Sequence, residues 1–179
     1  MRYPTLILAL AGASMLTGCS SLVSLHPFIT ASQGTTDARL AGSWKGTDAD
    51  DKEAISFDQS GSTYKIKFTG DDGQPVNFEG HLTWVGPAEF LDVISTDDDA
   101  TGIRVHMLVR LWLTDNTLRW TFLDSDWIRD QARRGLEAQD VDGRTLITLE
   151  GDKLFQFLKS FGPDDHAYSD AAELVRVAK

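Results

Sequence analysis

The strongest constraint on the fold is a period-two alternation of apolar and polar residues through the middle of the chain. Tyr64, Ile66 and Phe68 alternate with Lys65 and Lys67. Val76, Phe78, Leu82 and Trp84 share one parity, and Asn77, Glu79, His81 and Thr83 the other. Ile103, Val105, Met107, Val109, Leu111 and Leu113 form a long apolar row against Arg104, His106, Arg110 and Thr114, and Leu118, Trp120 and Phe122 continue it. Such a period puts one row in a core and the other in solvent. Turn-forming runs separate the segments: Gln59-Ser60-Gly61-Ser62, Asp71-Asp72-Gly73-Gln74, Val85-Gly86-Pro87 and Asp115-Asn116. Short antiparallel strands joined by tight hairpins make a meander that curls into an antiparallel β-barrel or a strongly curved sheet.

The C-terminal third changes character. Ser125 is placed to N-cap a helix carrying Trp127, Ile128 and Ala132 and ending at Arg133-Arg134-Gly135, with basic residues and glycine where a helix C-terminus favours them. Residues 144–148 read as a strand. A second helix spans about Gly151 to Phe161, with Leu154, Phe155, Leu158 and Phe161 on one stripe and Gly162-Pro163 as its stop. A helical turn near 164–168 and a last strand at 174–177 complete a mainly β chain with minor α content. Helices in that position plug or flank an opening of the barrel.

The folded part opens at Leu40-Ala41-Gly42-Ser43-Trp44. Gly42 and Trp44, as Gly-x-Trp on a first strand, resemble the lipocalin and wider calycin signature. The resemblance implies a lipocalin-like barrel in which the Trp packs under the closed end and the Gly lets it fit. The same residues also suit a plain core Trp on an N-terminal strand.

Residues 1–18 have the parts of an export signal: a positive Arg2, an apolar run from Leu6 through Leu16, and small residues at the end. The apolar run is shorter than the roughly 20 residues a bilayer span needs. Leu16-Thr17-Gly18-Cys19 holds the only cysteine of the chain and resembles a bacterial lipobox. That resemblance implies cleavage after Gly18, covalent lipid such as palmitate on Cys19, and a lipid anchor in place of any cofactor. Ser20 and Ser21 follow Cys19 rather than Asp, which implies an outer-membrane lipoprotein, here expected on the periplasmic face. Residues 19–38 read as the lipidated cysteine and a flexible tether, with an apolar island at Leu25–Ile29 that either stays extended or docks on the domain. Residues 39–179 then form one domain. The lipobox, the Pro-Phe tether, Leu-x-Gly-x-Trp, Phe78–Leu82, Phe90–Val93 and Asp126-Trp127, in that order, resemble uncharacterised bacterial lipoproteins, and imply architecture more than activity.

With 41% hydrophobic residues the chain can build a core without disulfides, and with one cysteine it must. Cysteine-based zinc sites are excluded for the same reason. The formal charge is −10, which argues against nucleic acid as a partner, since that affinity comes from Lys and Arg on phosphates.

Candidate chemistry is sparse. Asp97-Asp98-Asp99-Ala100-Thr101-Gly102 begins like a calcium loop, but the twelfth position, which needs a bidentate Glu, holds Leu108. This run and the cluster Asp48, Asp50, Asp51 and Glu53 read as solvated tips, and no metal is expected. His81 and His106 fall on polar parities and converge with Asp92 if their strands are neighbours, giving a base with an orienting carboxylate. Arg104, Arg110 and Arg119 read as cross-strand ion pairs, or else an anion groove. Trp112 sits on a nominally polar face, covered by the second helix or exposed for a partner. His81, Asp92, His106, Arg110 and Trp112 are thus the speculative binding residues, with no catalytic set.

The expectation is a non-enzymatic envelope lipoprotein that binds a small apolar ligand, with a partner-binding structural or inhibitory module as the alternative and a small hydrolase using His81 or His106 as a remote third. An accessible cavity in the barrel favours the first. A solid core with an exposed patch at Trp112 favours the second.

Overall fold

The computed structural model describes residues 22–47, 52–70, 72–97, 104–141 and 144–178. Their strands are β1 (Leu22–Ser24), β2 (Gly42–Gly46), β3 (Ala54–Ser60), β4 (Thr63–Thr69), β5 (Pro75–Val85), β6 (Ala88–Ser95), β7 (His106–Leu113), β8 (Thr117–Phe122), β9 (Ala138–Val141), β10 (Arg144–Ile147) and β11 (Ala172–Arg176). Two helices, α1 (Ser125–Arg133) and α2 (Gly151–Phe161), and a 3-10 turn at Asp165–Ala167 lie between β8 and β11.

Eight strands close into a barrel in the order β2-β3-β4-β5-β6-β7-β8-β11, with β11 joined back to β2 and every pairing antiparallel. Neighbours in space are neighbours in sequence until β8, as short hairpins require. Only β11 arrives from a distance, filling the gap between the last hairpin and the first strand. The expected antiparallel barrel with two C-terminal helices is the observed fold, and its meander is compatible with a lipocalin-like barrel.

One end of the barrel is sealed by side chains. Leu40, Trp44, Tyr64 and Leu82 are fully buried there. The Trp44 indole donates to the Leu40 carbonyl at 3.0 Å, and the Tyr64 hydroxyl donates to the Asp37 carbonyl at 3.0 Å. The Arg176 guanidinium lies 4.0 Å over the Trp44 ring. It also donates to the carbonyls of Asp115 at 2.7 Å and Ala41 at 3.0 Å, and to that of Arg39. Gly42 is required here: its φ of 125° is one that side chains rarely adopt. A Cβ on it would also sit 3.0 Å from Arg176 Nη1.

A second core lies outside the barrel wall. Phe90 and Leu108 point outward from β6 and β7 into a cluster with Leu22, Phe28, Ile29, Ile128, Ile147, Leu154, Leu158 and Phe161. The helices therefore flank the wall rather than plug an opening. Ala88 to Val93 of β6 are buried on both faces, Glu89 and Asp92 included. Of the α2 stripe, Leu154, Leu158 and Phe161 are buried. The N-cap of α1 is Asp124, one residue before the expected Ser125, because its carboxylate reaches the Trp127 amide at 2.8 Å.

The tether expected over residues 19–38 is corrected from Leu22 onward. β1 pairs in parallel with β10 and touches β7 at Ser24↔His106. The apolar island docks: Phe28 and Ile29 are buried. Thr35 bridges to Leu82. The physical reason is that β8 ends at Phe122, opposite Val109. The β7 edge at His106 is thus left for Ser24, and the outer face of β6 needs an apolar cover. The signal, Leu16, Thr17, Gly18 and the lipid-bearing Cys19 lie outside the described residues.

Trp84 is also corrected. It keeps the inward parity of β5, but the barrel interior ends at Leu82, and Trp84 beyond it is 44% exposed. Thr83 and Val85, on the opposite parity, are buried instead. The N-terminal segment runs over that face: Thr83 Oγ1 donates to the Gln33 carbonyl at 3.0 Å.

Candidate ligand cavity

The inward rows do not fill the barrel. Above the sealed end, a cavity of about 350 Å³ is lined by fourteen side chains: Ile55, Phe57, Ile66, Phe68, Val76, Phe78, Leu91, Val93, Met107, Val109, Leu111, Leu118, Trp120 and Phe122. Their order follows from the meander, because each strand contributes alternate residues to the inside. Phe57, Ile66, Leu91, Val93, Val109, Leu111 and Leu118 are buried. Ile55, Phe68, Phe78, Met107, Trp120 and Phe122 are half-buried, and Val76 is 36% exposed. Exposure thus rises toward one end, and the cavity opens there with an apolar rim.

The volume decides how to read it. Small-molecule sites run from about 300 to 1,000 Å³ and are mostly apolar. Larger side chains would close it and gain about 25 cal/mol for each Å² of apolar surface removed from water, so a chain shaped for stability alone would not leave it open.

The lining carries almost no polar chemistry. Its side-chain heteroatoms are the Met107 sulfur and the Trp120 indole nitrogen. Trp120 Nε1 is buried with no hydrogen-bond partner among the described residues. Lys65 and Lys67 are on the outer face of β4, in line with their parity.

At the sealed end, Glu89 stands on the inward row of β6 with Leu91 and Val93, and is 3% exposed. Loss of water pushes its carboxyl up to about 7, helped by the nearby Asp37 charge and opposed by Arg39. Arg39 is itself committed to Asp37 at 2.5 Å, and its hydrogen bonds hold the Asp37 carboxyl below the usual range.

The speculative binding residues lie elsewhere, on the outside of the wall. His106 Nδ1 and Asp92 Oδ1 meet at 2.9 Å. His81 faces Asp92 in the strand register, but its ring lies 3.4 Å from the Ser62 carbonyl. The other Asp92 oxygen accepts from the Ile29 amide at 3.0 Å, so the pair ties the N-terminal segment to the barrel. Ser24, the register partner of His106, is fully buried and donates its hydroxyl to the His26 carbonyl at 2.8 Å. That arrangement offers a base with an orienting carboxylate, but the neighbouring hydroxyl is committed to another bond.

Arg110 and Trp112 also come together. The Arg110 guanidinium lies 4.5 Å from the Trp112 ring and 4.8 Å from the Tyr168 ring, with Asp165 at 2.7 Å. Arg119 stacks on Trp112 at 5.3 Å and pairs with Glu173 at 3.9 Å. Two guanidiniums rather than α2 thus lie against the half-buried Trp112. Arg110 and Arg119 each face a carboxylate, the ion-paired arrangement rather than an anion groove. Of the acidic run, Asp97 accepts from the Asn77 amide and side chain at 2.8 and 3.0 Å. Asp98 to Gly102 and Asp48, Asp50 and Asp51 fall outside the described residues.

Ten of the fourteen lining residues, all but Ile55, Phe57, Leu91 and Val93, belong to the apolar rows read from the sequence, but parity alone does not tell a filled interior from a hollow one. Compared with protein-family models, curated proteins and solved structures, the chain matches none.

Proposed function

We propose that this chain is a lipid-anchored lipoprotein of the bacterial envelope whose barrel binds a small apolar ligand. One observation carries the binding half: a cavity of about 350 Å³, apolar throughout and open at one end. At about 30 Å³ per water-sized group it holds a ligand of roughly a dozen heavy atoms. The ligand would be held by burial of its surface, at about 25 cal/mol per Å². The anchoring half rests on Leu16-Thr17-Gly18-Cys19, and outer-membrane placement on the serines after it.

The test of binding is displacement of an apolar fluorescent probe from the protein held in discs of its own membrane. Val109→Phe, which thrusts a ring into the cavity from β7, is expected to weaken the probe at least tenfold while the protein stays folded. Unchanged binding in that variant would move the site out of the barrel. For the anchor, cells fed an alkyne-tagged palmitate should label the wild-type chain and not Cys19→Ser. Equal labelling of the two would remove Cys19 as the lipid-bearing residue.

A further inference from the structure

The two ends of the barrel differ in charge as sharply as in packing. Ile55, Phe68, Val76 and Met107 line the cavity, and each stands one residue from the end of its strand. Those strand ends are joined by residues 47–53, 70–74 and 96–105, so the charge of these three connections is attached at the open end. They hold nine carboxylates against Lys52 and Arg104. The hairpins at the sealed end, residues 61–62, 86–87 and 114–116, hold one, Asp115. Residues 48–51, 71 and 98–103 lie outside the described residues, and what they bring to the opening is formal charge. Asp97 is fixed there: Asn77, between Val76 and Phe78 on β5, donates to it through its side chain at 3.0 Å and its amide at 2.8 Å. Those bonds hold the Asp97 carboxyl below the usual range. Lys45 and Lys67, exposed on the outer wall near the same end, reduce the negative excess without reversing it.

We propose that the barrel's ligand is an amphiphilic cation, an amine on a hydrocarbon body, with the body in the cavity and the ammonium at the acidic opening. This rests on the reading that the barrel binds a small apolar ligand: the cavity is the site, and the opening sets its preference for charge. A volume of about 350 Å³ takes a body of roughly ten carbons. The lining holds no charged side chain, and a charge without a partner is strongly disfavoured in such surroundings. The other end is sealed by Leu40, Trp44, Tyr64 and Leu82. A charged head therefore stays in water at the open end. Screening at 0.1 M salt sets in over about 10 Å, comparable with the width of an eight-stranded mouth, so the carboxylates act on the head together. An opening of one sign with low-dielectric walls concentrates the opposite ion. The same field disfavours a carboxylate head, so a fatty acid of equal length is selected against.

The experiment uses decylamine, 1-decanol and decanoate at pH 7, where the amine is protonated and the acid ionised. Each competes with an apolar fluorescent probe on the lipoprotein in phosphatidylcholine discs, which carry no net charge, and is corrected for its partition into empty discs. At 0.1 M salt the expected preference for decylamine over decanoate is about tenfold, with decanol between them. At 1 M salt it should fall to about twofold or less. A variant combining Asp48→Asn, Asp50→Asn, Asp51→Asn, Asp98→Asn and Asp99→Asn should lose most of the preference at 0.1 M salt and bind decanol as wild type does. If decanol binds and decanoate binds as well as decylamine, the cavity stands and the charge preference is overturned. A preference that survives 1 M salt or the neutralised variant overturns it too. Decylamine that binds Val109→Phe as tightly as wild type would be held outside the cavity, which also overturns the proposal. If none of the three binds wild type, the apolar-ligand reading falls and takes this proposal with it. Should the neutralised variant not fold, the salt dependence of the wild-type preference decides.

Discussion

At the scale of single residues, the barrel holds a titratable group where stability alone would favour a hydrocarbon. Glu89 is 3% exposed on an inward row, and its carboxyl is pushed from 4.5 to about 7 by burial first and the Asp37 charge second. A carboxyl whose folded value is raised keeps its proton in the fold between these two values and loses it when the chain unfolds. Stability therefore falls as pH rises through that window, and the full penalty, about 3 kcal/mol, is present above it. Glu89→Gln removes the charge and keeps the shape. Urea denaturation should show the variant more stable than wild type by up to about 3 kcal/mol at pH near 8 and equal to it at pH near 4. A gain of the same size at both pH values would mean that the charge is not the cause. Nothing in the local sequence marks Glu89: Ala88-Glu89-Phe90-Leu91 reads as a solvent-facing acid at a hairpin. Its burial comes from the Asp37–Leu40 segment, a contact between residues some fifty positions apart.

At the scale of elements, what was legible followed from short-range pattern. The inward rows of β4, β7 and β8, the span of α2 and the final strand all come from periodicity and turn residues. What was not legible depends on partners. Residues 22–29 look like linker because their apolar content is too short to signal an element, yet β10, the β7 edge and the outer face of β6 order them. Asp92 fastens this segment through the Ile29 amide and His106. Asp92→Ala leaves that amide buried and unmet, at a cost of about 1–3 kcal/mol. If the strap opens on its own, hydrogen exchange at Ile29 and Thr35 should quicken by ten- to a hundredfold, with Leu91 and Val109 nearly unchanged. Equal acceleration in strap and barrel would show instead that the strap is one cooperative unit with the barrel. The His106–Asp92 pairing was foreseeable as a convergence of polar parities, whereas its structural use was not, because the Ile29 amide carries no side-chain signal.

At the scale of the whole molecule, the chain combines a short reach with a hollow interior. Leu22 already belongs to the sheet, so only Ser20 and Ser21 separate it from Cys19, and three steps at about 3.3–3.6 Å per residue reach roughly 10 Å. A lipid on Cys19 would hold the barrel close against the bilayer, where apolar molecules concentrate. The sequence foretold a barrel and an inward set of large apolar side chains, but whether those side chains meet in the middle depends on barrel width and register. The central claim is that the hollow is a binding site. Native mass spectrometry of the lipoprotein, isolated from its own envelope under mild conditions, tests it most directly. The account predicts a reproducible added mass of a small molecule, lost on organic extraction and lost in Val109→Phe. An added mass that persists unchanged in Val109→Phe, or a bare lipoprotein mass in protein that also fails to take up the apolar fluorescent probe, would contradict it.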